Sequence, residues 1–406
     1  MSAFNDELVL RLKGLREQNL YRELRRVDAP QTPRLVVGGR TYLNFSSNDY
    51  LGLANDPLLK DAAIKAVREF GAGAGSSRLI CGSLAPYHEL DEALAVFKGT
   101  QAALSFSSGY ATSLGTIGAL LNSNDVVVLD KLIHASIIDA ARLSGAKVRV
   151  FGHNNLDDLE KILRWTDTRN AVPSDVPTDR KPRTLIVTES VFSMDGDHAP
   201  LREIVALKER FGAWLMVDEA HATGLYGKMR RGLAEELGVA GKIEVQMGTL
   251  GKSFGSAGGY ICGTRSLVEF LINRARSFIF STAPVPAAAA AATAGVRFVQ
   301  SAAGEVRRNK LWSNIAAFVQ GDEQEPHPGG TEQRQKHGAI IPLMIGDESK
   351  AMKIADGLRG HGIFVPAIRY PTVAHGQARL RLTFSAAHEL ADIARLHAAL
   401  QSDLRF

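Results

Sequence analysis

Between residues 45 and 285, short apolar runs rich in β-formers alternate with helical patterns. That alternation confines the chain to an α/β layered fold with a largely parallel sheet. The strand-forming runs lie at 102–105, 126–129, 148–151, 185–187, 214–217, 243–247 and 259–262. Ligands of such sheets bind outside the carboxyl ends of the strands. Asp130, Thr188, Glu189, Asp218, His221 and Lys252 all fall at or just past those ends, where chemistry is expected.

A chain of 406 residues is too long for one small core. The pattern divides it into an N-terminal helix and arm (1–44), a large α/β domain (45–285) and a smaller C-terminal α+β domain (286–406). The last part opens with a long helix after Pro286 and carries strands at 339–345, 363–366 and 380–383. Polar, Pro-containing segments at 165–183 and 321–338 read as surface loops. Near the N-terminus, Leu8, Leu10, Leu12 and Leu15 are spread among Asp6, Glu7 and Arg11, which predicts an amphipathic helix and no signal peptide. The longest apolar candidate, 283–299, is Ala-rich and broken by Pro284 and Pro286, so it reads as a buried helix and not a membrane span. A cytoplasmic protein is expected. Cys81 and Cys262 are too few for a disulfide framework or a cysteine metal site and read as packing residues; no metal site is expected. The net charge is +5, but the basic residues are dispersed, which does not support nucleic-acid binding. A mild positive excess suits anionic small molecules.

The most informative chemistry is a pair of motifs. Trp214-Leu-Met-Val-Asp-Glu-Ala-His221 puts Asp218 at the end of a buried strand, with His221 three residues on. Gly248-Thr-Leu-Gly-Lys-Ser-Phe-Gly255 puts Lys252 in a Gly-flanked turn after the next strand. A lysine there can form a Schiff base, and a buried carboxylate needs a cationic partner such as a pyridinium nitrogen. Phe106-Ser-Ser-Gly-Tyr-Ala-Thr112 joins a strand to a helix, so the N–H groups of Gly109 and Tyr110 open a helix that can cradle a phosphate or simply be capped. Gly71-Ala-Gly-Ala-Gly-Ser-Ser-Arg78 superficially matches a dinucleotide fingerprint, but a helical pattern at 65–70 precedes it, so it reads as a turn between helices. His134, four residues after a strand, is structural or stacks on an aromatic ring.

Taken together, these stretches resemble the α-oxoamine synthase group of fold type I pyridoxal-phosphate enzymes. The resemblance is carried by Asn44-Phe-Ser-Ser-Asn-Asp-Tyr-Leu-Gly-Leu53, Gly75-Ser-Ser-Arg78, Phe106-Ser-Ser-Gly-Tyr110, His134-Ala-Ser136, Thr188-Glu-Ser-Val-Phe-Ser-Met-Asp-Gly-Asp197, Val217-Asp-Glu-Ala-His221 and the Lys252 turn. Ala367-Ile-Arg-Tyr-Pro-Thr-Val373 and Ala378-Arg-Leu-Arg-Leu382 complete it, in the family's order over essentially the whole chain.

The resemblance implies a large pyridoxal 5'-phosphate-binding domain with a mostly parallel seven-stranded sheet. It further implies that Lys252 carries the cofactor, Asp218 pairs with its ring nitrogen and His134 stacks over the ring. His221 and Ser193 would bond its phenolic oxygen, while Ser108, Gly109, Tyr110 and Thr249 would take the phosphate, joined by Thr282 from the partner subunit of a homodimer. Arg369, with Thr372 in the same turn, would bind an amino-acid carboxylate. Asn48 and Glu189 would line the acyl side, and Arg22 is the nearest match to the family's acyl- or CoA-contacting arginine. The implied reaction joins L-alanine to a pimeloyl thioester, carried on CoA or on a carrier protein, with loss of CO2. Sister enzymes such as glycine C-acetyltransferase share nearly every motif; non-catalytic subunits of this fold typically lose the lysine that is present here.

Overall fold

The computed structural model describes residues 2–18, 20–171, 181–322 and 338–403. The N-terminal helix Ala3–Glu17 forms as expected but buries none of its residues; Phe4, Leu8, Val9, Leu10, Leu12 and Leu15 are all exposed. Strands β1 (Arg34–Val37) and β2 (Arg40–Asn44) then make an antiparallel hairpin. Its two-residue turn is Gly38-Gly39, both at positive φ, the conformation that the right-handed twist of a hairpin favours.

The large sheet contains β3 (Ala102–Phe106), β4 (Val126–Asp130), β5 (Lys147–Phe151), β6 (Thr184–Glu189), β7 (Trp214–Asp218), β8 (Val245–Thr249) and β9 (Gly259–Gly263). Their order is β3-β9-β8-β7-β6-β4-β5; only β9 runs against its neighbours. The central strands are buried on both faces, and period-2 alternation divides their side chains between two helical layers. Val127, Leu129, Leu185, Val187 and Met216 pack toward Ile117, Ile137, Ala140 and Leu271. Val126, Val128, Ile186, Leu215 and Val217 pack toward Leu90, Leu159, Leu163 and Ile204. Each fully buried Val, Leu or Ile contributes about 1.5–3 kcal/mol, so these strands fix the register on which the site depends.

The segment expected to loop from 165 instead continues the helix Leu156–Ala171. The apolar spacing of Leu159, Leu163 and Thr166 extends the buried stripe, and Thr166 Oγ1 bonds back to Leu163 O at 2.7 Å. Residues 172–180 of that expected loop, and 323–337 of the second one, lie outside the described residues. Cys262 is buried, as a packing residue should be, whereas Cys81 is exposed on the short turn before helix Ala85–Lys98.

The C-terminal part opens with helices Pro286–Gln300 and Ala302–Asp322, followed by β10 (Ile340–Gly346), β11 (Ile363–Phe364), β12 (Ala367–Ile368) and β13 (Ala378–Thr383). β10, β13 and β12 form one antiparallel sheet, while β11 pairs in parallel with β2, tying the N-terminal arm to this end of the chain. Thr383 N donates to Phe45 O and Ser385 Oγ to Asp49 O, at 2.8 and 2.7 Å. Those bonds pin the 45–50 segment against the C-terminal sheet, beside the carboxyl ends of the large one. Among the described residues no helix is long and apolar enough to cross a membrane.

Candidate active site

Glu189 and Asp218 are the last cross-strand pair of β6 and β7, so their side chains emerge together at the carboxyl edge of the sheet. Both are buried. The next strand, β8, leads into a tight turn closed by Leu250 N to Gly258 O and Gly255 N to Lys252 O, each 2.9 Å. Gly255 has φ +65°, and a Cβ there would come within 2.6 Å of the Leu53 carbonyl carbon. Only glycine lets this turn sit so close to the 53–54 backbone. Lys252 consequently points inward, its Nζ 2.6 Å from His221 Nε2.

Burial pushes the Lys252 amine down to about 8, although the Asp218 and Glu189 charges oppose the shift. Burial raises the Asp218 carboxyl, and Lys252 partly restores it; Ala220 N also donates to Asp218 Oδ1 at 2.9 Å. Glu189 is pushed up to about 8 by burial and by the Asp218 charge. Its Oε2 accepts from Ser193 N at 3.2 Å, whereas its buried Oε1 has no hydrogen-bond partner. His221 is held well below its ordinary value by burial and by the neighbouring Lys252, Arg381 and His134.

His134 caps helix Ala135–Leu143: its Nδ1 accepts from Ser136 N at 3.2 Å and lies 2.8 Å from Ser136 Oγ. That fixes one edge of an exposed ring whose interaction partners include Asp218. Gly109 begins helix Gly109–Leu120, with Ser108 Oγ accepting from Ala111 N at 3.0 Å. The N–H groups of Gly109 and Tyr110 precede the first intrahelical bond and are the anion-binding end of the helix. Thr249 pairs with Gly259 across β8 and β9, and a Cβ at Gly259 would lie 2.8 Å from Gly109 Cα. Thr249 is therefore one strand away from the helix opening. The Tyr110 hydroxyl turns elsewhere, to Asp139 at 2.8 Å.

A second group comes from distant parts of the chain. Arg381 on β13 donates to Ser193 O at 2.6 Å and to Asn48 Oδ1 at 3.1 Å. Tyr50, fully buried, reaches His221 Nδ1 at 2.6 Å. Arg379, two residues before Arg381 and on the same face of β13, pairs with Asp195 at 2.5 Å. Arg22 and Thr372 meet, NH2 to Oγ1 at 3.1 Å, and Arg369 donates to Tyr21 O at 3.4 Å, so the N-terminal arm lies against the 369–372 turn.

The structure thus gathers Lys252, Asp218, Glu189, His221, His134, Ser193 and Asn48 at one edge, with Gly109, Tyr110 and Thr249 beside it. Arg22, Thr372 and Arg369 form a neighbouring group. Thr282 is exposed, in a segment held to the 75–78 turn through Ala283 N to Ser76 O at 3.0 Å. Asp130, expected among the chemical groups, instead grips His153, whose Nδ1 is 2.9 Å from Asp130 Oδ1 and whose Nε2 is 2.7 Å from Asp197 Oδ2. Tyr50 and Arg381 were not singled out by sequence reasoning. The signal for Arg381 was present: two arginines at period 2 in an otherwise apolar strand are costly unless both have partners.

These residues suit a pyridine aldehyde bearing a phosphate. An inward amine such as Lys252 could form the covalent link, the Asp218 carboxylate could meet the ring nitrogen, and the helix opening at Gly109 could take the anion. The unpartnered Glu189 Oε1 shows that the edge is not satisfied by its own side chains.

The family model of aminotransferase class I and II matches residues 40–400. A relative from Geotalea daltonii, 8-amino-7-oxononanoate synthase, is 43% identical over 98% of this chain and 97% of its own length. A solved structure of SPT with PLP superposes with a TM-score of 0.89 at 31% identity, covering 100% of this chain and 99% of that one. The structure of 8-amino-7-oxononanoate synthase from Francisella tularensis gives 0.72 at 26% identity, covering 90% and 98%.

Proposed function

The chain belongs to the aminotransferase class I and II family, and within it we propose that it condenses L-alanine with a pimeloyl thioester, releasing CoA and CO2 and giving 8-amino-7-oxononanoate for biotin synthesis. It is a pyridoxal-phosphate-dependent acyltransferase. The single observation that carries the reading is the Lys252 amine, enclosed beside Asp218 and in contact with His221, in a chain 43% identical over nearly its full length to a protein of that activity. SPT-like structures share the fold more closely than the sequence, and backbone shape does not separate sister condensing enzymes.

When bound, pyridoxal phosphate supplies an electron sink for the carbanion formed at the amino-acid Cα. Lys252 would hold the cofactor, and as a free amine lowered to about 8 it is suited to take the Cα proton near neutral pH. Asp218 would keep the ring nitrogen protonated, and His134 would cover the ring. His221 and Ser193 would bond the phenolic oxygen, while Ser108, Gly109, Tyr110 and Thr249 would hold the phosphate. Arg369 fixes the alanine carboxylate with its planar, two-pronged donor, and Thr372 and Arg22 extend that side. Asn48 and Glu189 line the acyl chain. Attack on the thioester carbonyl makes the carbon–carbon bond and expels CoA; the alanine carboxylate then leaves as CO2, and Lys252 returns a proton to Cα.

The active unit in this reading is a cytoplasmic homodimer, with Thr282 serving the partner's phosphate site. The exposure of Thr282, together with exposed Leu79, Ile80, Phe280 and Val285 around the 75–78 turn, supports it. The large α/β domain in this reading spans 45–285 and the smaller one 286–406, and β1 and β2 of the 1–44 arm belong with the smaller one through β11. The deciding experiment is thiol release across a matrix of alanine, glycine and serine against acetyl, pimeloyl and palmitoyl thioesters. Alanine with the pimeloyl thioester should give the highest kcat/KM by at least tenfold; a maximum at any other pair refutes the substrate assignment.

A further inference from the structure

We propose that His153 is a positioning residue of the condensation: by bridging Asp130 and Asp197 it holds the turn that ends in His134 in register with the turn that carries Ser193. The inference rests on the reading of His134 and Ser193 as groups that contact the cofactor.

The two turns leave the carboxyl ends of neighbouring strands, residues 130–134 after β4 and residues 190–197 after β6. At their inner end one group joins them, because Glu189 accepts from the backbone N–H groups of both Ser193 and His134. A single shared anchor leaves each turn free to pivot about it, so a second tie is needed before the side chains they carry keep one relative orientation. His153 supplies that tie. It lies just past β5, the edge strand, and its ring reaches across the end of β4 to the turn after β6. Nδ1 is 2.9 Å from Asp130 Oδ1 and Nε2 is 2.7 Å from Asp197 Oδ2. Carboxylate oxygens only accept, so both ring nitrogens donate and the bridge is an imidazolium. The Asn154 amide does not compete for it: its two hydrogens go to Asp197 Oδ2 at 2.9 Å and to His198 O at 3.1 Å.

Each end of the bridge reaches a site residue through the backbone. Asp130 Oδ1 also accepts from Leu132 N at 2.8 Å, and Ile133 N donates to Asp130 O at 3.2 Å, so the carboxylate that grips the ring also shapes the chain up to His134. On the other side, Phe192 N donates to Asp197 O at 3.0 Å and Gly196 N to Phe192 O at 2.8 Å, which closes the turn around Ser193 and makes it move as a unit. The buried Phe192 ring meets the His153 ring edge to face, with centroids 4.4 Å apart. From the C-terminal sheet, Arg381 donates to Ser193 O at 2.6 Å and Arg379 pairs with Asp195. A turn released from His153 therefore stays attached to β13 and follows that sheet instead of β4.

Asp197 is the place to test this, because its side chain is 36% exposed and removing it leaves the Asp130–His153 pair intact. Circular dichroism of the absorption band of the bound cofactor reads the setting of its ring without turnover. Asp197→Ala should alter that band and lower kcat about ten- to hundredfold, as a displacement of about 1 Å does, with KM for the amino acid within about twofold. Asp197→Asn keeps an acceptor for Nε2 and should return both the band and kcat to within about threefold of the wild type. Should Asp197→Ala not fold, histidine-selective 15N NMR of the wild-type holoenzyme, with His153 assigned through Asp197→Asn, must show both ring nitrogens protonated at the pH of activity. A neutral His153, an Asp197→Ala protein that matches the wild type in band and kcat, or an Asp197→Asn protein no better than Asp197→Ala overturns the inference. Failure of the underlying reading would look different: His134→Ala and Ser193→Ala would leave the band of the bound cofactor unchanged, whatever the Asp197 variants do.

Discussion

Lys98→Met probes how the fold supports the turn that carries Asp218 and His221. Lys98 is the last residue of helix Ala85–Lys98, and its ammonium meets Glu219 Oε2 and donates to Arg231 O at 2.6 Å. Both side chains are 1% exposed. Glu219 Oε1 accepts from Ala234 N at 2.9 Å, and Glu219 N donates to Met247 O at 2.9 Å. One ion pair therefore joins a helix, the post-β7 turn and the segment opening at Leu233. Methionine keeps the bulk of the lysine stem but leaves a buried carboxylate with a single donor and no counter-charge. Breaking a buried pair in this way costs about 3–5 kcal/mol. The stranded charge also sits next to Asp218, whose carboxyl Glu219 already helps to raise.

Adding Glu219→Gln removes that charge: the amide oxygen can still accept from Ala234 N, and the amide NH2 can turn to Arg231 O. The double variant should recover all but ~1 kcal/mol, since a buried pair replaced as a unit is often close to neutral. Denaturant unfolding followed by circular dichroism, at one protein concentration with cofactor present, gives both numbers. A double variant as unstable as Lys98→Met alone would show that the loss comes from packing and refute the electrostatic account.

Arg369→Lys should weaken alanine binding by about ten- to hundredfold, because a half-buried site forfeits part of the ~1.5–3 kcal/mol of a charged hydrogen bond, while acyl-thioester binding stays within about twofold; titration showing the reverse moves Arg369 to the acyl side. Thr282→Glu and Lys252→Ala should each be inactive as pure dimers, and mixing them under subunit exchange should restore part of the activity if one site draws on both chains; no recovery after proven exchange argues against a shared site. His153 has a pH signature: burial works against its charge, but bonds to Asp130 and Asp197 outweigh it and push the ring up to about 10. Its folded value lies above its unfolded one, so its stabilisation is complete below about pH 6.5 and is lost as pH rises through about 10. Wild type should therefore lose more stability than His153→Gln between those limits, and parallel melting curves would discount the clamp.

The strand-end residues were legible because period-2 burial and a following glycine are local signals. Glu189 and Asp218 each end a run whose pattern a short window contains, Lys252 follows the next run by three residues in a Gly-flanked turn, and the register that sets Glu189 opposite Asp218 follows once both strands are buried on two faces. The loop reading of 165–183 follows its polar, Pro-containing composition, whereas the continuing buried stripe of Leu159, Leu163 and Thr166 carries helix Leu156–Ala171 past Trp165. Tyr50 and Arg381 were missed for a different reason: their partners lie 171 and 333 positions away, at His221 and Asn48. Nothing in a local window states which buried arginine will meet which carbonyl. The arm register was similarly hidden until Arg22 met Thr372.

Glu189 and Asp218 leave the sheet side by side, and two carboxylates so placed do not ionise independently. Asp218 has the Lys252 charge and the Ala220 N–H on its side; Glu189 has an oxygen with no partner and is pushed up to about 8. Burial and the Asp218 charge both favour the neutral form of Glu189, and a neutral Glu189 withdraws one of the two negative charges that would otherwise stabilise a Lys252 cation. Burial thus biases Lys252 toward the form that can accept a proton, and the Asp218 charge is the main one left to oppose it.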